Sequence, residues 1–387
     1  MSWNTFKQQF LAFVSQPRVL YWLGAVAVVV ITTLEYVHHG AENYIDFRDA
    51  TINFFQGISS YTPEYVAAHG RYFIYSPVFH YLFAPFAYLP FYLGGYLWNL
   101  LGWTVFYFAV KTLPGALKER TTPILGFMLL FVMQSVFCFQ YNLLVCCIFL
   151  LAFSLLENDH AFWAVALIML SATTKIYGIV ELALLLCYPK FWRNIGYAVV
   201  CGLVFVLLPM TKLGLNGLIP WYMDWFHQLT DHTENTCTYI SLIWAQPIRA
   251  WVLPNMRIFQ VCVLVLLGVF FFLSKKWWTS LPFKVGVLAT LMIYIVLMSE
   301  AAEFTTHTIS AAGFALWYFL KEEHSRLEKF FFWSLWLLFG VLPIDIFCPA
   351  TWCLFVHKTL WLGVWIFTMA WCYQVADTIH PASPKKE

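Results

Sequence analysis

Long apolar runs, separated by shorter polar stretches, recur along the chain from Val19 to Tyr373. A run of about 20 apolar residues is long enough to cross a bilayer as a helix, which satisfies its backbone hydrogen bonds within its own segment. The pattern predicts an all-α, polytopic integral membrane protein. We expect a helical bundle of about twelve transmembrane helices, with the longer loops on one outer face.

The predicted spans are Val19–Val37, Pro77–Val110, Pro123–Cys138, Leu143–Leu156, Phe162–Ala172, Ile176–Cys187, Ile195–Met210, Arg257–Leu273, Phe283–Met298, Thr305–Leu320, Phe330–Pro343 and Phe355–Tyr373. Two regions are irregular. Pro77–Val110 is too long for one span and contains Pro85 and Pro90, which predicts a broken or re-entrant element. Phe162–Cys187 is short for two spans, so we expect its centre, at Lys175, to dip into the membrane from the outer face.

The basic residues are distributed unevenly over the two faces that these spans define. With the N-terminus inside, 15 of the 22 Lys and Arg residues fall in inner segments. Cytoplasmic loops carry an excess of Lys and Arg, so both termini are predicted to be cytoplasmic. We divide the chain into a cytoplasmic amphipathic N-terminal helix at residues 1–18, a transmembrane domain at 19–376 and a short cytoplasmic tail at 377–387.

Composition and motifs exclude several classes of protein. Only 11% of the residues are charged and 61% are hydrophobic, which leaves too few polar side chains to coat a soluble protein of this length. The sequence has no basic patch and no Gly-rich phosphate loop, which argues against a nucleic-acid partner and against an ATP-driven pump. Glu303 and His307 have no third ligand near them in the sequence, so we predict neither a metal nor a cofactor.

Just over half of the acidic residues fall in the segments that face outward. The longest outer segments are His38–Ser76 and Thr211–Met256, and a third, Ser299–Thr306, is short. Charged residues at membrane depth are costly and are usually kept for function. An outer cavity fed by these segments is therefore the predicted active site.

Motifs in and beside these segments occur in an order that is typical of one family. The run Glu42-Asn-Tyr-Ile-Asp-Phe-Arg-Asp-Ala50 is followed by Tyr75-Ser-Pro77 and Leu97-Trp-Asn99. Gln140-Tyr-Asn142 then opens a span, Ala172-Thr-Thr-Lys-Ile-Tyr-Gly178 contains a lone lysine, and Ala302-Glu-Phe-Thr-Thr-His307 forms a late outer loop. From roughly Asn43 to Trp371 the chain resembles glycosyltransferase family 87, whose members include polyprenol-phosphate-mannose-dependent α-mannosyltransferases of the GT-C superfamily.

The resemblance implies a GT-C-like catalytic domain at residues 19–376. It implies a membrane enzyme that moves a hexose, with mannose expected, from a polyprenyl-phosphate donor to a lipid-linked or cell-surface glycan acceptor. Transfer would invert the anomeric centre on the non-cytoplasmic face of a bacterial inner membrane. A transporter or flippase of a lipid-linked saccharide, or an inactive relative, is the alternative. The charged first outer loop has no counterpart in the second half, and the lack of an internal repeat favours the enzyme.

The general base departs from the family pattern. Asn43 occupies the place of the family's usual catalytic Asp, and Asp46 follows about one helical turn later. We take Asp46 as the candidate base that removes the proton of the acceptor hydroxyl, with Asp49 and Glu303 as the other candidate carboxylates. The alternative for Asp46 is to cap a helix that begins near Phe47.

The remaining candidates are ligands of the donor and the acceptor. Contacts to the donor phosphate are assigned to Arg48, Arg71, Lys175 and His307. Binding of sugar or acceptor is assigned to Asn43, Tyr75, Gln140, Asn142 and His232. Several of them have a structural alternative. Arg48 and Arg71 could pair with Asp49 and Glu64, and the Lys175 side chain could snorkel to the membrane interface. Glu303 and His307 could form a structural pair, Asn142 could cap a helix, and the aromatic residues could form an interfacial belt.

Overall fold

The computed structural model describes residues 16–38, 40–235, 256–299, 302–342 and 350–380. The structure is 83% helix, and the described part contains no strand. The helices are α1 Pro17–His38, α2 Glu42–Gln56, α3 Pro63–His69, α4 Phe79–Ala87, α5 Phe91–Lys111, α6 Ala116–Glu119, α7 Thr121–Phe137, α8 Asn142–Glu157, α9 Ala161–Thr174, the 3₁₀ helix Ile176–Cys187, α10 Phe191–Leu207, α11 Met210–Asn235, α12 Met256–Leu273, the 3₁₀ turn Lys275–Trp277, α13 Leu281–Leu297, the 3₁₀ turn Phe304–Thr306, α14 His307–Leu320, α15 Arg326–Leu335 with a π-helical extension Trp336–Val341, and α16 Ala350–Ile379.

The all-helical class is confirmed, and every predicted span falls on a helix. Within the described ranges, α1 is the one helix that is long and apolar enough to cross a bilayer by itself. The pair Phe191–Leu207 and Met210–Asp231, bent by 93°, adds a second crossing if it is counted as one span. The other apolar helices include several of 10–17 residues. The number of crossings therefore stays a prediction.

The break predicted inside Pro77–Val110 is confirmed. Helix α4 ends at Ala87 and α5 begins at Phe91, after Pro90 in an extended conformation with φ −49° and ψ 137°. Proline disfavours helical geometry in the residue before it, so the chain leaves the helix at Leu89. Pro85, in contrast, is accommodated inside α4.

A tight hairpin occupies the second irregular region. Lys175 has extended backbone angles, φ −143° and ψ 105°, between α9 and the 3₁₀ helix Ile176–Cys187. The 3₁₀ helix is unusually long for its type. It lies against α9 where Gly178 meets Ser171 and Ala172, and a Cβ atom on Gly178 would come within 2.7 Å of Ser171 C and 2.8 Å of Ala172 N. Glycine thus permits the close approach that fixes Lys175 at the apex.

Replacing this glycine should destabilise the hairpin. The Gly178→Ala variant places a methyl group against backbone atoms that cannot move aside, so we expect a loss of about 1–3 kcal/mol in the free energy of unfolding. Gly196→Ala is the matched control, since a Cβ atom there meets nothing within 4 Å and α10 gains helix propensity. Thermal unfolding of both variants in detergent tests this, and equal midpoints would contradict the packing role of Gly178.

Two outer segments predicted as loops contain helices in their described parts. His38–Ser76 contains α2 and α3, and Thr211–Met256 begins with α11. Gly214, Gly217 and Pro220 make α11 resemble a loop in sequence, but the backbone departs from helical angles only at Gly214. Trp225 fixes this helix to the core by donating a hydrogen bond from Nε1 to the carbonyl oxygen of Ile74 at 3.0 Å.

Some predicted features lie outside the described residues. They are residues 1–15 of the N-terminal helix, 236–255 of the large outer segment, 300–301 of the short outer segment, and 381–387 of the tail.

The core positions the site at one end of the bundle. Helix α14 packs against α13 and α7, α8 packs against α5 and α9, and α2 packs against α4. The N-terminal ends of α2, α8 and α14 and the apex of the α9 hairpin all contribute to the polar cluster described next.

Candidate active site

Asp46 lies in the second turn of α2. The helix begins at Glu42, after Ala41 in the left-handed region with φ 59° and ψ 45°. The expectation that Asp46 caps a helix beginning near Phe47 is therefore wrong, because the helix starts earlier. The side chain of Asp46 is only 8% exposed, and a buried carboxylate needs partners.

Tyr65 and Arg71 supply those partners. The Tyr65 hydroxyl donates to Asp46 Oδ1 at 3.1 Å, and Arg71 Nε lies 3.9 Å from Asp46 Oδ2. Burial raises the pKa of Asp46 to about 6, although the hydrogen bond from Tyr65 and the charges of Arg71 and His69 oppose the rise. Burial, together with the negative charge of Asp46, raises the pKa of Tyr65 far above its ordinary value. Asp46 can therefore be an ionised base at neutral pH while remaining close to its pKa.

Asn43, in the first turn of α2, and Arg71, just after α3, support Asp46. Asn43 Nδ2 donates to the carbonyl oxygen of Cys138 at 2.8 Å, and its Oδ1 accepts from Arg71 at 3.4 Å. Arg71 also forms an ion pair with Glu42, whereas pairing with Glu64 was the alternative expected from the sequence. Arg71 is thus held beside Asp46 by two neighbours.

Asp49 faces a different set of groups. Its side chain is 39% exposed and lies 3.8 Å from Arg48 and 3.7 Å from His69 Nε2. The His69 ring stacks on Tyr65 at 3.9 Å. Arg48 therefore pairs with Asp49, which was the structural alternative to phosphate binding. The Nε atom of Arg48 is buried without a hydrogen-bond partner.

Lys175 forms a second polar group with Asn142. Lys175 Nζ donates to Asn142 Oδ1 at 2.7 Å, and the Tyr177 hydroxyl donates to the same oxygen at 2.8 Å. Lys175 Nζ also lies 5.2 Å from the centre of the Tyr75 ring and 5.0 Å from that of Tyr177. No carboxylate among the described residues forms an ion pair with it. The end of the Lys175 side chain is therefore held by Asn142 and by two aromatic rings.

Asn142 links Lys175 to Glu303. Asn142 Nδ2 donates to Gln140 Oε1 at 3.3 Å, and Gln140 Nε2 donates to Glu303 Oε2 at 3.3 Å. Asn142 is the first residue of α8 and makes no capping bond, so its predicted alternative as a cap is wrong. Glu303 itself begins the turn before α14, where its backbone N–H donates to Thr306 Oγ1 at 3.1 Å.

Tyr75 lies between the two groups. Its ring stacks on Phe79 at 4.5 Å and has Lys175 Nζ over one face. Burial, and then the charges of Glu303, Tyr141 and Asp46, raise the pKa of the Tyr75 hydroxyl well above its ordinary value. The Tyr75 ring also packs against Phe47, the residue after Asp46, at 5.1 Å between ring centres, so the hydroxyl lies in the neighbourhood of both carboxylates. Asp46, Tyr75, Lys175 and Glu303 therefore belong to one cluster.

Besides Arg48 and Asp49, the two predicted histidines are not seen in this cluster. His307 is only 3% exposed and packs against Phe339 at 4.1 Å and Phe367 at 5.7 Å, with Nδ1 3.2 Å from Ser310 Oγ. Glu303 and His307 were expected to lie on the same face of a helix, but Glu303 is exposed and His307 is buried. The turn Phe304–Thr306 separates them and directs His307 into the core. His232 lies in α11, and its side chain is outside the described residues.

A cavity lies beside Lys175. It has a volume of about 400 Å³, and its polar lining includes Lys175, Tyr177, Arg257, Gln260 and Thr306. Apolar side chains from α11, α13 and the 3₁₀ helix form the remaining wall. The sequence analysis counted Arg257 only as an outer charge and did not predict it as a site residue. Its position at the start of a largely apolar helix could have indicated such a role.

The described side chains contain no group of three or more His, Cys, Asp or Glu that could hold a metal ion. The cluster instead combines one buried carboxylate, two cations and several amide and hydroxyl groups. This set can remove a proton, bind an anion and form hydrogen bonds with a polyol.

Residues 73–263 match the family described as Glycosyltransferase family 87. The match contains Tyr75, Gln140, Asn142 and Lys175, and it begins after Asp46 and Arg71. No curated protein matches the chain. An apolar helix and this family are together consistent with a membrane protein. The resemblance of the sequence to glycosyltransferase family 87 is confirmed by this match, which covers 191 of the 387 residues.

Proposed function

We propose that this glycosyltransferase moves a hexose, with mannose as the first candidate, from a polyprenyl-phosphate donor to a lipid-linked or cell-surface glycan. The observation that carries the proposal is the position of Lys175. It is a cation that forms no ion pair with a described carboxylate, although the charge of Glu303 acts on it, and it stands where a polar cluster meets a largely apolar cavity. A polyprenyl-phosphate sugar has the same sequence of parts: a polyol, an anion and a long apolar chain.

Lys175 and Arg257 are the proposed partners of the donor phosphate. A cation near the bond between sugar and phosphate would stabilise the charge that develops on the leaving phosphate, so no strong general acid is needed. Arg71 and Arg48 have carboxylate neighbours, which makes them weaker candidates for the same role.

Asp46 is the proposed base. It would take the proton of the acceptor hydroxyl while that oxygen attacks the anomeric carbon from the face opposite the phosphate, which inverts the configuration. Tyr65 and Arg71 position the carboxylate, and Asn43 is a positioning residue through its bond to Arg71. Gln140 and Glu303 offer hydrogen bonds to the sugar, with Asn142 holding Gln140 in place and Tyr75 beside them.

The proposal places this chemistry on the non-cytoplasmic face of a multi-pass protein in a bacterial inner membrane, with both termini in the cytoplasm. The excess of Lys and Arg in the inner segments supports this orientation. The donor would then enter sideways from the bilayer.

The test is a transfer assay in native membranes that contain the protein and their own acceptors. Radiolabelled polyprenyl-phosphate mannose is compared with the corresponding nucleotide sugar. We expect label in a glycolipid or glycan from the lipid donor alone. Transfer from the nucleotide sugar alone would contradict the donor class. Movement of a lipid-linked saccharide across reconstituted vesicles without transfer would support the flippase alternative, and binding with neither activity would support an inactive relative.

A further inference from the structure

A second cavity continues from the first along the 3₁₀ helix. It has a volume of about 280 Å³, and its walls come from the 3₁₀ helix, α12 and α13. Ile179 and Val180 line both cavities, so the two adjoin. Together they form one groove, which we call the tail groove, and it extends from Lys175 at the start of the 3₁₀ helix to Cys187 at its end.

The two helices that border the tail groove, the 3₁₀ helix and α12, give the same length for it. A 3₁₀ helix rises by about 2 Å per residue, so Ile176–Cys187 is about 20 Å long. An α-helix rises by about 1.5 Å per residue, so the stretch of α12 from Arg257 to Phe271 is also about 20 Å long. The groove is thus about two-thirds as long as the ~30 Å hydrocarbon core of a bilayer is thick.

We propose that the tail groove binds the phosphate-proximal part of the donor's polyprenyl chain, and that Gly268 keeps its far half open. This inference rests on the proposed function for the identity of the donor. The enzyme would then recognise a long apolar chain by direct contact along α12, so the length of the tail would contribute to the KM for the donor.

The chemistry of the groove favours a lipid tail over other occupants. Its mouth carries two cations, Lys175 and Arg257, which suit an anionic head group. Beyond Val180 the wall is almost wholly apolar, and a glycan there would leave its hydroxyl groups without partners. A peptide would bring backbone N–H and C=O groups that also require partners. A polyprenyl phosphate offers an anion to the cationic mouth and an apolar chain to the apolar wall.

Gly268 offers a direct way to close the groove. It lines the second cavity, and a Cβ atom on it would meet nothing within 4 Å. The Gly268→Phe variant should fold, because the ring points into open space and glycine is the weaker helix former. Gly126→Phe is the matched control, since Gly126 also has open space around it and lies in α7, away from the groove.

The expected result depends on the length of the tail. For a donor with a long polyprenyl chain, Gly268→Phe should lower kcat/KM by about tenfold or more, mainly by raising KM, because apolar contacts with the chain are lost. For a donor with a short, water-soluble tail, its kcat/KM should stay within about twofold of wild type. Gly126→Phe should change neither. Equal losses with both donors would overturn the proposal.

A binding experiment separates this inference from the proposed function. A polyprenyl phosphate without sugar, carrying a photoreactive diazirine in its chain, is cross-linked to the protein in nanodiscs. We expect label on peptides from Met256–Leu273 or Ile176–Cys187, loss of that label in Gly268→Phe, and competition by unlabelled polyprenyl phosphate. Label elsewhere, or competition by ordinary phospholipid to the same extent, would overturn the tail groove. If the groove is labelled but the wild type transfers no sugar, the proposed function fails and the groove stands.

Discussion

Asp46→Asn is expected to lower the kcat of hexosyl transfer by about 10²–10⁴-fold, which is the usual contribution of a general base. The substitution preserves the size of the side chain and can still accept the Tyr65 hydrogen bond, which is 3.1 Å long in the native protein. The fold and the KM for the donor should therefore change little. The measurement is steady-state transfer from a radiolabelled polyprenyl-phosphate sugar, at saturating donor.

The matched control for this substitution is Asp49→Asn. Asp49 lies on the same helix and undergoes the same chemical change, but it is only half-buried and contacts Arg48 and His69. We expect the control to retain most of its activity. Full activity in Asp46→Asn together with a large loss in Asp49→Asn or Glu303→Gln would assign the base to the residue that lost activity.

The pH dependence provides a second readout of the same base. Burial raises the pKa of Asp46 to about 6, so the carboxylate is ionised above this pH and protonated below it. A protonated carboxyl group cannot accept the proton of the acceptor, and kcat/KM should fall by about tenfold per pH unit below pH 6. Tyr65→Phe removes a hydrogen bond that lowers the pKa, so the acidic limb of the profile should move to higher pH.

Helix positions could be predicted from the sequence because they depend on local apolar periodicity and on breakers such as Pro90. The start of α2 could not, because it follows Ala41 in the left-handed region, and alanine is a poor indicator of such a conformation. The outer helix α11 was missed for a related reason: its glycine and proline residues are typical of loops, whereas burial of Trp225 against Ile74 supports the helix.

The site was predicted in part because charged and amide residues are rare in this chain and therefore conspicuous. Their partners were not predictable, since Asn142 and Lys175 are 33 residues apart and Gln140 and Glu303 are 163 apart. For His307 the sequence predicted a neighbour that the structure does not show. Spacing of four residues from Glu303 indicated a common face, but a 3₁₀ turn intervenes and packing against Phe339 decides where the ring goes.

Lys175→Met should raise the KM for the donor by about 10–100-fold, because a hydrogen bond to a charged group contributes roughly 1.5–3 kcal/mol. Methionine retains an apolar stem beside Tyr75 and Tyr177 and removes only the charged end. The unfolding midpoint should change little, since the native lysine has no ion pair with a described carboxylate and Asn142 keeps its bond from Tyr177, which is 2.8 Å long.

Two further variants distinguish phosphate binding from a structural role for Lys175. Lys212→Met, on the exposed face of α11, is the control for the loss of one outer positive charge and should leave the KM for the donor unchanged. Lys175→Arg keeps the charge in a different geometry and should recover part of the lost affinity, because phosphate accepts hydrogen bonds from either cation. A purely structural lysine would give the opposite pattern: Lys175→Met would lower the unfolding midpoint and leave the KM for the donor as it was. The pair of measurements therefore decides whether the cation at the apex of the α9 hairpin binds the donor or only holds Asn142 in place.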